Sequence, residues 1–597
     1  MTKLNNMCPL RMALMALLGL TGMVLQGQPL EALNMARMGV LQTATKSNKT
    51  IDTLVPPFVD GFAHRLHPAW QSSGVITASH WSKDPLSLGV AVLDGIAGDG
   101  QAYDPGMLTN DSLTDALVSP FFNLNGQING VLSFYLQEGG WGDPTEMADS
   151  LIVHFWNPLD SVWEHVWGQP GGASNDTWKA ISIAMPGHLN GQNGVRFRIA
   201  RYGSPGGAFD HFLLDYLEFG MARTLADTAL FDPAWSRAPS SLLQGYAELP
   251  WWHYSAFLLE RDSLSTAYRR NGPVPVGGWQ LNLGKYQWTD GQGSVVASRS
   301  NVPVVTTLNH NVSTPYPFSL TKPGVLMQGP MDYHFTGWFD GENVGELAND
   351  TFYVDQTFDH RYGWDDGSAE RTYGVSQGNL PRLAQKFQFL QADTLTGVDL
   401  SFVPAGFDWT GMTFQLGIWY VDTAGLPGNL LYLTDSAYIP ALPYAKEPFR
   451  HYVLDTAGVF VPKEVFVGLI QTTGPALTLG LDTQTEGEKA YGDYAGWFPS
   501  LLPGTLMMRP FFRGIPKDLS AAAEPIKVFH AWPNPAGDIV QGYGPSGRVT
   551  IYSSVGQKKA TFAAPEGTWS LDLSTWPAGL YIVQHDTGTR FTFMKQP

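Results

Sequence analysis

The densest run of acids in the sequence is "WDDGSAE", which brings Asp365, Asp366 and Glu370 together. Paired carboxylates are what glycoside hydrolysis uses, one as acid and the other as base or nucleophile. The Asp-Gly-Ser centre reads more readily as a turn whose acids are solvated. His64 and His67 are three apart, but Pro68 disrupts the helix that would turn both imidazoles towards one metal. There is no Gly-x-Ser-x-Gly elbow, no His-Glu-x-x-His helix and no phosphate-cradling glycine loop. Aromatic side chains are the other chemical resource. Trp156, Trp163, Trp167 and Trp178 lie close in sequence, and "PWWHY" gathers Trp251, Trp252, His253 and Tyr254. Aromatic faces suit the apolar faces of sugar rings, with polar neighbours taking the hydroxyls. The same residues also fill sandwich cores, and "PWWHY" reads as a plug between domains.

These residues must be positioned by strands. Of 597 residues, 15% are charged and 13% aromatic, with 65 Gly and 42 Pro. Short strands joined by Gly/Pro/Asn/Asp turns give that profile, whereas surface helices need more Glu, Lys and Arg. The fold class expected is all-β, several β-sandwich domains (jelly-roll or Ig-like) in series with a small C-terminal β-sandwich. In "GVRFRIA", Val195, Phe197 and Ile199 alternate with Arg196, Arg198 and Ala200, so one face is buried and the other wetter. The net charge of −17 has no basic block behind it, which disfavours a nucleic-acid partner.

The opening "MTKLNNMCPLRMALMALLGLTGMVLQGQ" has Lys3 and Arg11 before a short apolar run, the shape of a secretory signal peptide over residues 1–28. That run is too short for a confident membrane span, and no other segment is apolar enough, so no transmembrane anchor is expected. Cys8 is the only cysteine and precedes the apolar run, so the mature chain has no thiol nucleophile, disulfide or cysteine zinc site. The remaining divisions are a sandwich over 56–220, a connector and second β-rich domain over 221–350, and a third sandwich over 351–513. A linker over 514–526 and a terminal unit over 527–597 follow. A hairpin is expected around Asp290-Gly291 in the second domain; whether the second and third share a sheet system stays open.

The terminal unit contains "WPNPAGD", "VTIYSSVGQ", "LDLSTWPAGLYIVQ" and a final "FMK". Pro533 and Pro535 cannot donate to a ladder, so they fix the entry to the first strand. In this order the motifs resemble the type A sorting domain of the type IX secretion system. Pro533, Asn534, Pro535, Gly556, Gly579, Tyr581 and Lys595 occupy that family's pattern, with Trp532 where Tyr is usual. The resemblance implies a Gram-negative host, the type IX machinery as partner, removal of the tail on export, and a secreted or outer-membrane cell-surface location.

The block 56–220, through "PFVDGFAHRLHPAW", "DPLSLGVAVLDGIAGDG" and "AFDHFLLDYLEF", resembles MAM-like or lectin-like jelly-roll modules. That resemblance places Asp210 and Asp215 on the last strand, beside an opening strand carrying Asp60. It implies calcium where those strands meet, held by Asp60, Asp215 and Asp94, since hard oxygen ligands suit it. The other reading is that these acids bond their own turns. No other cofactor and no catalytic residue is assigned. The sequence thus reads as a secreted binding or adhesion protein with a glycan or matrix ligand. A secreted polysaccharide or protein hydrolase and a structural surface-layer component are the alternatives.

Overall fold

The computed structural model describes Ala32–Leu33, residues 53–513 and residues 530–596. Excepted are 108–110, 174–176, 240, 255–260, 262, 273–283, 300–309, 321–328, 340–346, 379, 443–447, 474–476, 486, 488–489, 533–535, 545, 566 and 587–589. The signal peptide and linker expected at 1–28 and 514–526 lie outside the described residues. The chain is all-β: many separate sheets and two short 3-10 turns, with no α-helix among the described residues.

The first sandwich follows strand β1 (Ala32–Leu33), which pairs instead with Thr372 and Tyr373. Its strands are β2 (Phe58–Asp60), β3 (Gln71–Ser73), β4 (Ile76–Ala78), β5 (Val90–Leu93), β6 (Ser112–Val118), β7 (Phe122–Asn123) and β8 (Val131–Glu138). Then come β9 (Ser150–Asn157), β10 (Val162–Pro170), β11 (Lys179–Ala184), β12 (Asn193–Gly203) and β13 (Phe212–Gly220). One sheet has the order β10-β9-β12-β6-β3, with β7 on β12. The other has β11-β8-β13-β5-β4, with β2 on β13. All of these pairings are antiparallel.

Period-two alternation decides what each face does. Leu151, Val153 and Phe155 of β9 and Val195, Phe197 and Ile199 of β12 point between the sheets. There they meet Leu132, Phe134, Phe212, Leu214 and Phe219 of the opposite sheet. Burying each such side chain stabilises the sandwich by about 1.5–3 kcal/mol. The outer faces of the two sheets differ. Ile76, Val90, Val92 and Leu213, on the outer face of the β13 sheet, pack against Ala369, Val403, Phe449 and Met507. Gly207 lies at this junction at φ +139, where an added Cβ would stand 2.4 Å from the Pro404 carbonyl oxygen. One sheet is therefore covered by the rest of the chain. The other turns Trp156, Trp163, Arg196 and Arg198 outward, half-buried.

Beyond the first sandwich, a three-stranded sheet (Asp232–Arg237, Ser263–Asn271, Thr314–Ser319) accompanies a five-stranded one. In the latter, Lys285–Asp290 and Val295–Arg299 form the expected hairpin, its turn tied by Ser294 N–H to Asp290 Oδ1 at 2.8 Å. A six-stranded sheet built on Arg382–Gln388, Phe414–Val421 and Glu464–Gln471 follows, with Asp393–Leu400 and Met508–Phe512 in the sheet beside it. Buried residues from Trp235 to Phe512 form one continuous cluster through both regions. "PWWHY" sits on that cluster. His253 bonds Tyr362 Oη at 2.6 Å and Asp393 Oδ2 at 2.8 Å, and Trp252 Nε1 donates to the same Asp393 oxygen at 2.8 Å.

The terminal unit is a separate small sandwich with a core of Val540, Val549, Ile551, Trp569, Tyr581, Val583 and Phe593. Gly556 takes φ +82 in the turn joining Gly547–Ser553 to Lys558–Ala564. Gly579 opens the strand Gly579–His585, where Tyr581 stacks on Phe593 and donates to the Pro577 carbonyl at 2.7 Å. Lys595 is buried and bonds Asp538 at 3.2 Å. Pro533, Asn534 and Pro535 lie outside the described residues.

Candidate functional site

The outward face of the β9 sheet gathers aromatic and cationic side chains through strand register alone. Trp163 of β10 stands opposite Trp156 of β9, and Trp156 opposite Arg196 of β12. In the next row His165 faces His154, which faces Arg198. Each row crosses three strands, about 10 Å at the usual strand spacing. The indoles of Trp156 and Trp163 meet edge to face at 5.5 Å. The Arg196 guanidinium lies 4.3 Å from the Phe121 ring centre and 5.1 Å from that of Trp163; Arg198 lies 4.8 Å from Trp163. Stacking of this kind holds a guanidinium in place without neutralising it.

Burial and like charge shape the electrostatics. His154 is pushed down to about 4 by burial, then by Arg198 and His165, so its imidazole is neutral at pH 7. Burial also lowers Arg196 and Arg198, and Arg198 adds to the effect on Arg196. Both remain cations, since guanidinium titrates far above neutrality. The Nε atoms of both arginines and Nδ1 of His154 are buried without a hydrogen-bond partner. The other two tryptophans of the group serve packing: Trp167 lies against the sandwich core beside Phe134, and Trp178 donates to the Asp84 carbonyl at 3.1 Å.

The acids expected to hold calcium occupy distinct surroundings. Asp60, at the β2–β13 pairing, accepts from Phe62 N at 3.0 Å, His67 N at 2.9 Å and Trp70 Nε1 at 2.6 Å. Asp215 accepts from Tyr216 N at 2.7 Å and Ser87 Oγ at 3.1 Å. Asp94 accepts from Ile96 N at 2.9 Å. All three are buried. Among the described residues, the acids whose oxygens converge within 4.8 Å are Glu146, Asp149 and Asp210, at the other end of β13. There Asp210 is already paired with the buried Arg201 at 3.0 Å, and Asp149 accepts the Glu146 N–H at 2.5 Å.

The "WDDGSAE" acids are buried. Asp365 is bound by Arg509 at 2.6 Å. Asp366 accepts from Ser368 N and Oγ, and Glu370 from Thr483 N at 2.8 Å. Asp482, distant in sequence, joins them and accepts the Asp366 N–H at 2.8 Å. Glu370 and Asp482 are 0% exposed, so no polysaccharide reaches them as they stand. A cleft of about 680 Å³ beside the first sandwich is lined by His64, Thr77, His334, Tyr353 and Asp355. His64 there bonds the Ala348 carbonyl at 2.8 Å, whereas His67 packs on Phe58.

No protein-family model and no curated protein matches this chain. Among solved structures, the K1 cleaved adhesin domain of Lys-gingipain from Porphyromonas gingivalis W83 is similar at 13% identity and TM-score 0.20. That match covers 28% of this chain and 97% of the domain. The CBM22-1 xylan-binding domain of Paenibacillus barcinonensis Xyn10C is similar at 10% identity and TM-score 0.19, over 29% of this chain and 99% of that one. The tandem CBM22-1-CBM22-2 structure gives 8% identity and TM-score 0.19, over 72% and 100%. Likeness of that size carries no argument about ligands; the case rests on the chain's own geometry.

The sequence flags Trp156 and Trp163 but not the residues beside them. Arg196 and Arg198 stand out there only as the wet half of an alternation, and His154 and His165 not at all. The readable signal was two arginines on one strand's outer face in an acidic chain.

Proposed function

We propose that this chain is a secreted β-sandwich binding protein that holds a glycan on the outward face of β9, β10 and β12. The carrying observation is that face itself. Trp156 and Trp163 are half-buried and open to solvent, ringed by polar and cationic side chains, while the outer face of the partner sheet is covered. Half-exposed indoles supply the flat apolar surface that a sugar ring needs, and neighbouring donors fix its orientation. In this reading residues 527–597 are an export address read by the type IX machinery. The independent core of that unit and its buried Lys595 support its being a discrete module.

The test is retention of the full chain on a panel of immobilised polysaccharides, with Trp163→Ala and Trp156→Ala beside it. At least one polysaccharide retains the parent, and each substitution weakens retention about tenfold or more, the loss of one stacked ring. Retention unchanged in both variants refutes the site. Release of reducing ends would refute the non-catalytic reading.

A further inference from the structure

The proposed glycan face has a charge character that narrows its ligand. The chain has 53 acidic against 36 basic residues, so a cation in it finds an acid readily. Arg201, Arg223, Arg269, Arg361, Arg382 and Arg509 each meet a carboxylate within 3.3 Å. Arg196 and Arg198 do not. Arg196 donates to Gln71 Oε1 at 3.2 Å, and Arg198 makes no hydrogen bond or ion pair among the described residues. Arg196 is instead pinned on Phe121, Trp156 and Trp163, and Arg198 on Trp163, each with Nε buried and unpartnered.

Leaving two like charges side by side, partly desolvated and without an acid, costs free energy. After burial, Arg198 further lowers both Arg196 and His154, whose imidazole is neutral at pH 7. A ligand that brings its own anion removes that cost. The guanidinium fork matches the two oxygens of a carboxylate or sulfate, and stacking has already fixed its plane. The two arginines are two residues apart on one face of β12, roughly 7 Å along the strand. Anionic groups carried on neighbouring sugars would meet one fork each while the rings lie on the indoles.

We infer that the ligand of this face is an acidic glycan, its carboxylate or sulfate groups taken by Arg198 and Arg196. This rests on the glycan-binding reading above. The shared chemistry is an anion on a pyranose chain; a uronic-acid polymer and a sulfated polysaccharide are its two sources.

The experiment uses the full chain on polygalacturonate, dextran sulfate, uncharged dextran and xylan, and polyglutamate, at low and high salt. Expected is preference for one of the two acidic glycans over the neutral ones, falling with salt, with polyglutamate not retained. Arg198→Gln lowers the acidic-to-neutral preference about tenfold, the worth of one charged hydrogen bond. Arg198→Lys, which keeps charge but loses the fork, falls between. The stronger polymer identifies carboxylate or sulfate. Neutral glycans bound as tightly as acidic ones, with Trp163→Ala abolishing both, would overturn the inference and keep the glycan face. Retention of polyglutamate equal to that of the acidic glycans would overturn it in favour of simple anion adsorption. No retention on any glycan would overturn both readings. A preference unmoved in both Arg198 variants would also overturn it.

Discussion

Replacing Arg509 with Met removes the cation at the centre of a buried chain of charges. Arg509 donates to Asp365 at 2.6 Å and 3.1 Å and to Glu248 at 2.8 Å. Glu248 accepts from Arg361 at 2.9 Å, and Arg361 reaches Asp399 at 3.2 Å. The side chains of Asp365 and Glu248 are 0% and 3% exposed, so neither recovers water when its partner leaves. Glu248 keeps Arg361. Among the described residues Asp365 keeps only the Gly367 N–H at 3.1 Å, so one uncompensated carboxylate is left in the core. Breaking a buried pair from one side costs about 3–5 kcal/mol. Met keeps most of the aliphatic stem, while the guanidinium carbon's contact with the Phe449 ring, at 4.3 Å, is lost together with the ion pairs. The assay is calorimetric and urea unfolding of the full chain, following the transition of the 235–512 core, whose midpoint falls by roughly 10 °C. Asp365→Asn in the Arg509→Met background relieves the stranded charge, so the double variant is more stable than additivity allows, by on the order of 2 kcal/mol. A cost below about 1 kcal/mol with additive behaviour would refute the reasoning.

Glu370, Asp366 and Asp482 are raised by burial first and then by neighbouring carboxylates: Asp482 and Asp366 act on Glu370, Asp365 on Asp366, and Asp366 on Asp482, which is pushed up to about 8. Their folded values lie above the unfolded ones, so their stabilising contribution is full near pH 4 and is lost as pH rises towards the folded values, about 8 for Asp482. The melting temperature should therefore fall from pH 5 to pH 8.5, with a shallower slope in Asp482→Asn; parallel slopes would contradict this. Gly207→Val puts a Cβ against the Pro404 carbonyl at a φ that favours glycine. It should cost on the order of 2–3 kcal/mol and speed amide exchange in β5. Asp60→Ala strands three donors, at Phe62, His67 and Trp70, and should destabilise the first sandwich by about 3 kcal/mol in urea followed by tryptophan fluorescence. Deleting 527–597 should leave the chain inside a type IX-competent cell, as read by fractionation; normal export of the truncated chain would remove the tail from the account.

Much of the strand architecture was legible because alternation is local. Val195, Phe197 and Ile199 against Arg196 and Arg198 is a period of two that any sandwich would sort into inside and outside. Asp290 with Gly291 closes its hairpin through neighbours in sequence. What was not legible depends on distant pairing. Val90 and Val92 are apolar by type, but they lie on an outer face, and it is Val403 and Met507 that arrive to cover it. The site was half readable for the same reason. The indoles are visible by type, but their alignment with Arg196 and His154 follows from β10-β9-β12 order, which one strand's sequence does not encode. The "WDDGSAE" run was misleading as chemistry because its fate is set by Arg509 and Asp482, each more than a hundred residues away.

The most direct test of the central claim is hydrogen–deuterium exchange of the full chain with and without the best-retained polysaccharide. Protection confined to residues 150–157, 162–170 and 193–203 is the predicted footprint. Protection instead around His64, His334 and Tyr353, or no change in those three strands under saturating ligand, would contradict it.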